Sequence, residues 1–193
     1  MNAAARPWIG LVFKCSAVLA AIIAFVFFMR MQEEQSLVDR YRAEGMVSQA
    51  EITGKEIDQV RIEGRRGRSR TENWEMLWVR YGKDSTVPYA DYPARVALAD
   101  LPAPPPATGD PSVDYAYEAV IFVAPDVYAA TQVGQRLVVV DTPYSSDDPE
   151  FYEAIRDFDP ADFYPGIAIS LALMVVLGLI GWWIGRRRTG QVG

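Results

Sequence analysis

The chain has 193 residues, of which 50% are apolar and 23% are charged, and its formal net charge is −6. It contains no histidine and a single cysteine, Cys15, which excludes catalytic triads built on histidine, haem attachment through C-x-x-C-H, and zinc sites made of cysteine and histidine. All 25 acidic residues lie between Glu33 and Asp162, whereas residues 1–30 and 165–193 carry only basic charges. This segregation is typical of two membrane segments that flank a polar domain.

The first predicted element is a transmembrane helix over residues 8–29. At about 1.5 Å per residue the run reaches roughly 33 Å, enough to cross a hydrocarbon core of about 30 Å. Its one charged residue, Lys14, costs about 3 kcal/mol, which the apolar side chains of the run offset with about −5 kcal/mol. A cleavable signal peptide is the alternative, because residues 18–20 loosely resemble a cleavage site. The apolar run continues to Met29, so we expect an uncleaved span.

Residues 31–45 continue the helical pattern after this span. They contain good helix formers and an apolar pair, Leu37 and Tyr41, at positions i and i+4, and Gly45 is the residue type that commonly ends helices. Residues 1–30 are therefore expected to form a short cytoplasmic N-terminus and the first membrane helix, which projects beyond the lipid as a juxtamembrane stalk over 31–45.

Residues 46–144 predict a small β-domain of short strands separated by turns. The predicted strands are 46–53, 59–63, 74–81, 85–92, 115–124 and 136–140. The third and fourth strands are expected to form a hairpin, and the two last strands, which are the most apolar, are expected at the centre of the sheet. Gly134 supplies a turn, and the proline-rich residues 101–112 predict an exposed polyproline-type loop. The result is one antiparallel domain, either a sandwich or barrel-like.

The second transmembrane helix is predicted over residues 165–185, a run without any charge. An acidic juxtamembrane segment, 145–164, precedes it, and Asp162 is positioned to cap the helix. A basic tail, 186–193, follows it. Because basic residues flank the outer ends of both spans, the positive-inside rule places both termini in the cytoplasm. The exported part has no cysteine and no N-glycosylation sequon, which favours a bacterial inner membrane protein with a periplasmic domain.

Three short motifs mark the ends of the β-domain: Gly45-Met46-Val47, the run from Val133 to Pro143, in which Gly134 begins a Gly-x-x-Leu-x-Val pattern, and Asp148-Pro149. Together with the two flanking helices, this order resembles bacterial two-helix membrane proteins that are grouped as an uncharacterised domain-of-unknown-function family. The resemblance implies the architecture alone, because the family has no assigned reaction. The proline-rich loop and an arginine-rich insertion depart from the family's pattern.

Two sets of residues are candidates for contacts with partners. An arginine cluster suits an acidic patch on a partner protein or anionic lipid headgroups, with a solvated hairpin tip as the alternative; it consists of Arg61, Arg65, Arg66, Arg68 and Arg70. Small residues at helical spacing predict close packing, either between the two spans or against a partner's helix; they are Ser16, Ala20, Ala24, Gly178, Gly181 and Gly185. The acidic residues of 147–162 lack a calcium-binding loop pattern, so a solvated face is expected there.

The sequence contains no motif of catalytic residues, so we do not expect an enzyme, and we expect no cofactor and no metal. The leading hypothesis is an accessory or scaffolding subunit that docks on a larger membrane protein complex through its helices and β-domain, while a homo-oligomer is also compatible with the sequence. Nucleic acid is not expected as a partner on the periplasmic side. The alternative hypothesis is a sensor or ligand-binding module of the cell envelope that works with a signalling partner.

Overall fold

The computed structural model of the chain describes residues 6–63, 69–142 and 148–186. Two compact units are present, one formed by Met1–Leu37 with Asp159–Gly193 and the other by Val38–Phe158. We call them the helical unit and the β-domain. The helices are α1 (Arg6–Glu44), α2 (Pro111–Asp114), α3 (Pro125–Ala130), α4 (Tyr152–Asp157) and α5 (Tyr164–Arg186), and the strands are β1 (Met46–Glu63), β2 (Ser69–Tyr81), β3 (Glu118–Phe122), β4 (Arg136–Asp141) and β5 (Glu150–Phe151).

In the part of the chain that the structure describes, two helices are long and apolar enough to cross a membrane. They lie in Trp8–Glu44 and Pro160–Ile184, where the mean hydropathy reaches 2.5 and 2.4. A short 3-10 turn, Pro160–Phe163, precedes α5. Its cap is Asp159, whose carboxylate accepts a hydrogen bond from a backbone N–H of the turn at 2.8 Å. Asp162, the predicted cap of the second membrane helix, lies inside this turn instead, because the turn begins at Pro160 and Asp159 takes the cap position.

Helix α1 ends at Glu44 because of Gly45. The Gly45 N–H donates a hydrogen bond to the Tyr41 carbonyl at 2.9 Å. A Cβ atom at this position would lie 2.2 Å from the same carbonyl oxygen and 2.4 Å from a methyl group of Val140. Only glycine fits this close approach, so the helix ends here and β1 begins at the next residue.

The β-domain contains one antiparallel sheet with the strand order β3-β2-β1-β4-β5. The expected antiparallel β-domain between two long apolar helices is confirmed. Among the described strands the sheet is open, with β3 and β5 as its edges, which differs from the sandwich or barrel-like arrangement that we expected. The strands predicted at 46–53 and 59–63 are one continuous strand, β1, because a bulge at Thr53 bends the chain without ending its pairing with β2.

The predicted hairpin between residues 74–81 and 85–92 is wrong. Strand β2 pairs with β1 on one side and with β3 on the other. Residues 85–92 contribute a single bridge, between Pro88 and Met46, and then a 3-10 turn. The physical reason is Pro88, which has no N–H to donate to a ladder.

The two most apolar predicted strands occupy different places in the sheet. The run 115–124 yields β3, which is an edge strand, and the run 136–140 yields β4, which lies between β1 and β5. The central position expected for the first run is therefore wrong. Its apolar residues do not all serve the core, because Ile121 is 3% exposed while Phe122 is 55% exposed.

Two hydrophobic clusters form the core of the β-domain. One joins the last turns of α1 to the sheet and to α4, and it comprises Val38, Tyr41, Val47, Leu101, Val140, Tyr152 and Ile155. The other lies among the strands and comprises Ala50, Ile52, Leu77, Val79, Tyr81, Ile121 and Val139. Leu101 is 3% exposed, and the Pro102 carbonyl accepts a hydrogen bond from the Gln49 N–H at 2.9 Å. The proline-rich segment thus begins in the core, which corrects the prediction of a fully exposed loop.

Candidate functional site

Two members of the predicted arginine cluster lie on neighbouring strands of the sheet. Arg61 lies on β1 and Arg70 lies on β2, where they pair with Thr71 and Ile62 respectively. Arg65, Arg66 and Arg68 lie outside the described residues. The binding role of this cluster stays a prediction.

The predicted small residues of the helices fall into two groups. Ala20 and Ala24 are 6% and 5% exposed, and a Cβ atom at Gly181 would lie 3.3 Å from the backbone oxygen of Gly10 and 3.1 Å from the Lys14 side chain. These residues bring α1 and α5 into close contact. The others contribute less: Ser16 is partly exposed, a Cβ atom at Gly178 would meet nothing within 4 Å, and the surroundings of Gly185 lie outside the described part of the chain.

Three aromatic and two other apolar side chains line one face of strands β2 and β3. We call this surface the aromatic face; it consists of Trp74, Met76, Trp78, Val120 and Phe122. These residues share one face because they alternate along paired strands, with Met76 opposite Phe122 and Trp78 opposite Val120. Trp74 and Phe122 are 44% and 55% exposed, and their rings meet edge to face with centroids 5.5 Å apart. Met76, Trp78 and Val120 are half-buried, so Trp74 and Phe122 are the members of this face that the packed core leaves most exposed.

Acidic residues border the aromatic face on β1. The Glu56 carboxylate accepts a hydrogen bond from the Trp78 indole N–H at 3.1 Å. Asp58 lies opposite Trp74 in the pairing of β1 with β2. An apolar surface with a negative border is therefore present beside the open edge strand β3.

A cleft of about 780 Å³ lies at the end of β2 and β4, and its lining includes Tyr81, Lys83, Glu118, Asp141 and Thr142. The Tyr81 hydroxyl donates a hydrogen bond to the Asp141 carboxylate at 3.3 Å, within the buried interior. These two residues come together because β1, which lies between their strands, pairs with both.

Burial dominates the electrostatics of the cleft. Asp141 is 9% exposed, and this burial raises the pKa of its carboxyl group, although hydrogen bonds from the Tyr81 hydroxyl and the Thr142 N–H act in the opposite direction. Burial also raises the pKa of Tyr81 above its usual value, and the nearby Asp141 carboxylate adds to this effect. The Thr142 side-chain oxygen is buried without a hydrogen-bond partner among the described residues. Such polar groups are uncommon away from functional sites.

A salt-bridge cluster flanks the cleft. Arg80 is paired with Glu118 at 2.6 Å and lies 3.9 Å from Asp114. The side chains of Arg80 and Glu118 are 14% and 21% exposed, so water screens this pair little. The pair fixes the start of β3 against β2 and leaves the Glu118 carboxylate at the rim of the cleft.

A second cavity, of about 680 Å³, lies beside β4 and α4 and includes Leu137, Phe151, Arg136 and Glu153 in its lining. Its charges are balanced, with two arginines and two acidic residues. Among the described residues there is no group of three or more acidic or cysteine side chains arranged to hold a metal ion. The first cleft contains the buried groups of Asp141 and Thr142, whereas the second has balanced charges. For this reason the first cleft is the better candidate for a binding site.

Sequence reasoning missed the cleft entirely. Tyr81 and Asp141 are 60 positions apart, so only the strand order brings them together. One signal was present, because an acidic residue ends the apolar run 137–140.

Comparison of the chain with protein-family models, with curated proteins and with solved structures found no match. The resemblance to two-helix membrane proteins therefore stays a prediction, and the function is argued from the geometry.

Proposed function

We propose that this chain is a two-pass protein of the bacterial inner membrane that acts as an accessory or scaffolding subunit of a larger membrane protein complex. In this proposal α1 and α5 cross the bilayer, both termini face the cytoplasm, and the β-domain lies in the periplasm. The chain would then belong with the two-helix membrane proteins of unknown function that it resembles. No catalytic role is included in the proposal.

The aromatic face carries this proposal. Exposed tryptophan and phenylalanine side chains are favoured in the centres of protein interfaces, where their large area is removed from water. Within the described ranges, the adjacent edge strand β3 has a paired neighbour on one side only, so an extended segment of a partner can add to the sheet there. The occupant we propose is an extended apolar segment of another protein in the same membrane, with basic residues that complement Glu56 and Asp58.

The docking proposal is tested by comparing complexes extracted from native membranes in a mild detergent. We expect the full chain to migrate in a stoichiometric complex on native gels. Trp74→Ser and Phe122→Ser should each release the chain from it, whereas Val133→Ser, at an apolar residue that is 60% exposed in a turn elsewhere, should not. A photo-reactive residue at position 74 should crosslink to the same partner. Migration of the wild-type chain alone, or equal recovery for all variants, would contradict the proposal.

The proposed topology is tested by cysteine labelling in a Cys15→Ser background. Ala107→Cys, at an exposed position of the β-domain, should react with a membrane-impermeant maleimide in cells whose outer membrane has been permeabilised. Gly193→Cys should react only after lysis. Labelling in the opposite order would place the β-domain in the cytoplasm and overturn this part of the proposal.

A second candidate function is an envelope sensor or ligand-binding module. The cleft favours it, because a cavity of 780 Å³ falls within the range of small-molecule sites, which is about 300–1,000 Å³. A partner would be needed to pass a signal on.

A further inference from the structure

The charges of the cleft are strongly unbalanced. The described part of its lining contains four acidic residues, Asp84, Glu118, Asp141 and Asp148, and one basic residue, Lys83. Of these acids, Glu118 is neutralised by Arg80 at 2.6 Å. The Lys83 ammonium group reaches the Ala116 carbonyl at 3.5 Å, and its field acts on Asp141 without a direct ion pair. The cleft therefore keeps an excess of negative charge.

Asp141 is the deepest of these acids. It is 9% exposed, its carboxylate accepts a hydrogen bond from the Tyr81 hydroxyl, and it forms no ion pair with any described residue. A buried carboxylate without a cation is costly, and a buried hydrogen bond from a neutral hydroxyl compensates it only in part. A positive ligand would supply the missing partner.

Thr142 gives an independent indication of a ligand. The residue is 2% exposed, it belongs to the lining of the cleft, and its side-chain oxygen has no hydrogen-bond partner among the described residues. Asp141 and Thr142 both line the cleft, and a carboxylate and an unused hydroxyl supply oxygen acceptors that suit a ligand with several N–H groups.

Aromatic rings complete the walls of the cleft. Trp78, Tyr81, Tyr115 and Phe122 belong to its lining, and Tyr115 is 73% exposed. The faces of such rings attract ammonium and guanidinium groups.

We propose that the cleft between Tyr81, Asp141, Thr142 and Tyr115 is a binding site for a small organic cation with amine or guanidine groups. The cation places one N–H group between the Asp141 carboxylate and the Thr142 hydroxyl, and its remaining length lies against the aromatic rings. This inference goes beyond the docking role, and it gives the second candidate function a ligand class.

Spermidine is the probe for this site. Binding to the full chain in detergent is measured by isothermal titration calorimetry at physiological ionic strength, where weak surface attraction is screened. We expect saturable binding to the wild type. Asp141→Asn should weaken it by about tenfold or more, the size of one lost charge-assisted hydrogen bond, and Thr142→Val should weaken it less. Asp126→Asn, at an exposed acid outside the cleft, should leave it unchanged.

The possible results distinguish a lost binding site from a misfolded variant. Thermal melting of each variant shows whether it is folded, and a folded Asp141→Asn variant that binds spermidine as the wild type does would overturn the proposal. So would the absence of saturable binding, or equal losses for Asp126→Asn and Asp141→Asn. Trp78, Val120 and Phe122 belong both to the aromatic face and to the cleft lining, whereas Trp74 is outside the lining. Trp74→Ser, and not Phe122→Ser, is therefore the variant that can abolish docking without affecting spermidine binding, and it lets the two proposals fail independently.

Discussion

The helical unit exposes many of its large apolar side chains, whereas the β-domain buries or half-buries most of its own. In the apolar part of α1, over residues 8–29, the buried positions hold small residues such as Ala17, Ala20 and Ala24, while Leu19 and Phe25 are 58% and 62% exposed. In the β-domain the fully buried positions hold large apolar residues such as Ile52 and Leu77. A protein in water buries its large apolar residues, whereas helices in lipid bury small residues and present the large ones to acyl chains. The contrast supports the proposal that α1 and α5 cross a bilayer while the β-domain lies in water.

The largest expected effect tests the β-domain side of this contrast. Leu77→Ala removes a fully buried side chain from the strand cluster and should lower the free energy of unfolding by about 2–5 kcal/mol. Leu19→Ala, at a residue that is 58% exposed on α1, is the matched control and should change it little. Tryptophan fluorescence during denaturant unfolding of the full chain in detergent provides the measurement. If both variants lowered the free energy of unfolding equally, the difference between the two regions would be contradicted.

An intermediate effect tests the packing of the helical unit. In a Cys15→Ser background, Gly10→Cys with Ile184→Cys should form a disulfide, because a Cβ atom at Gly10 would lie 4.0 Å from the Ile184 Cβ atom, within the usual range of about 3.5–4.5 Å. Gly181→Leu should reduce crosslinking, since its side chain would meet the backbone of α1. Gly178→Leu should not, because a Cβ atom there meets nothing within 4 Å. Non-reducing gels report the yield, and equal crosslinking in both leucine variants would refute this packing.

The smallest expected effect concerns Asp141. Its pKa is raised by burial from the ordinary value of 3.8, so the folded state binds a proton more readily than the unfolded state. Its contribution to stability is therefore present below pH 3.8 and is lost as the pH rises through the folded-state pKa. Asp141→Asn should raise the melting temperature by a few degrees at pH 7, and this advantage should shrink as the pH falls towards 4. A pH-independent difference from the wild type would show that ionisation is not its cause.

Sequence reasoning located the two long helices because apolar composition over a long run is a local property. It failed where pairing between distant segments decides the outcome. Residues 85–92 alternate like a strand, yet Pro88 limits their pairing to a single bridge, with Met46. The partner of β2 is instead β1, whose outer half is rich in charged residues and for that reason was not expected at the centre of the sheet.

The candidate sites were harder to predict than the fold. A row of exposed aromatics such as Trp74 and Phe122 has the same pattern as a buried face until it is known what covers it. The association of Tyr81 with Asp141 depends on the strand order, which no local pattern in either segment specifies.

The junction between α1 and β1 has a mechanical consequence. Gly45 alone separates the last helical residue, Glu44, from the first strand residue, Met46, so no flexible linker lies between the helix and the strand. A twist or pull applied to the last turns of α1 passes directly into β1. Because β1 is bonded to β2 on one side and to β4 on the other, that torque would be shared across the sheet instead of being absorbed by a loop.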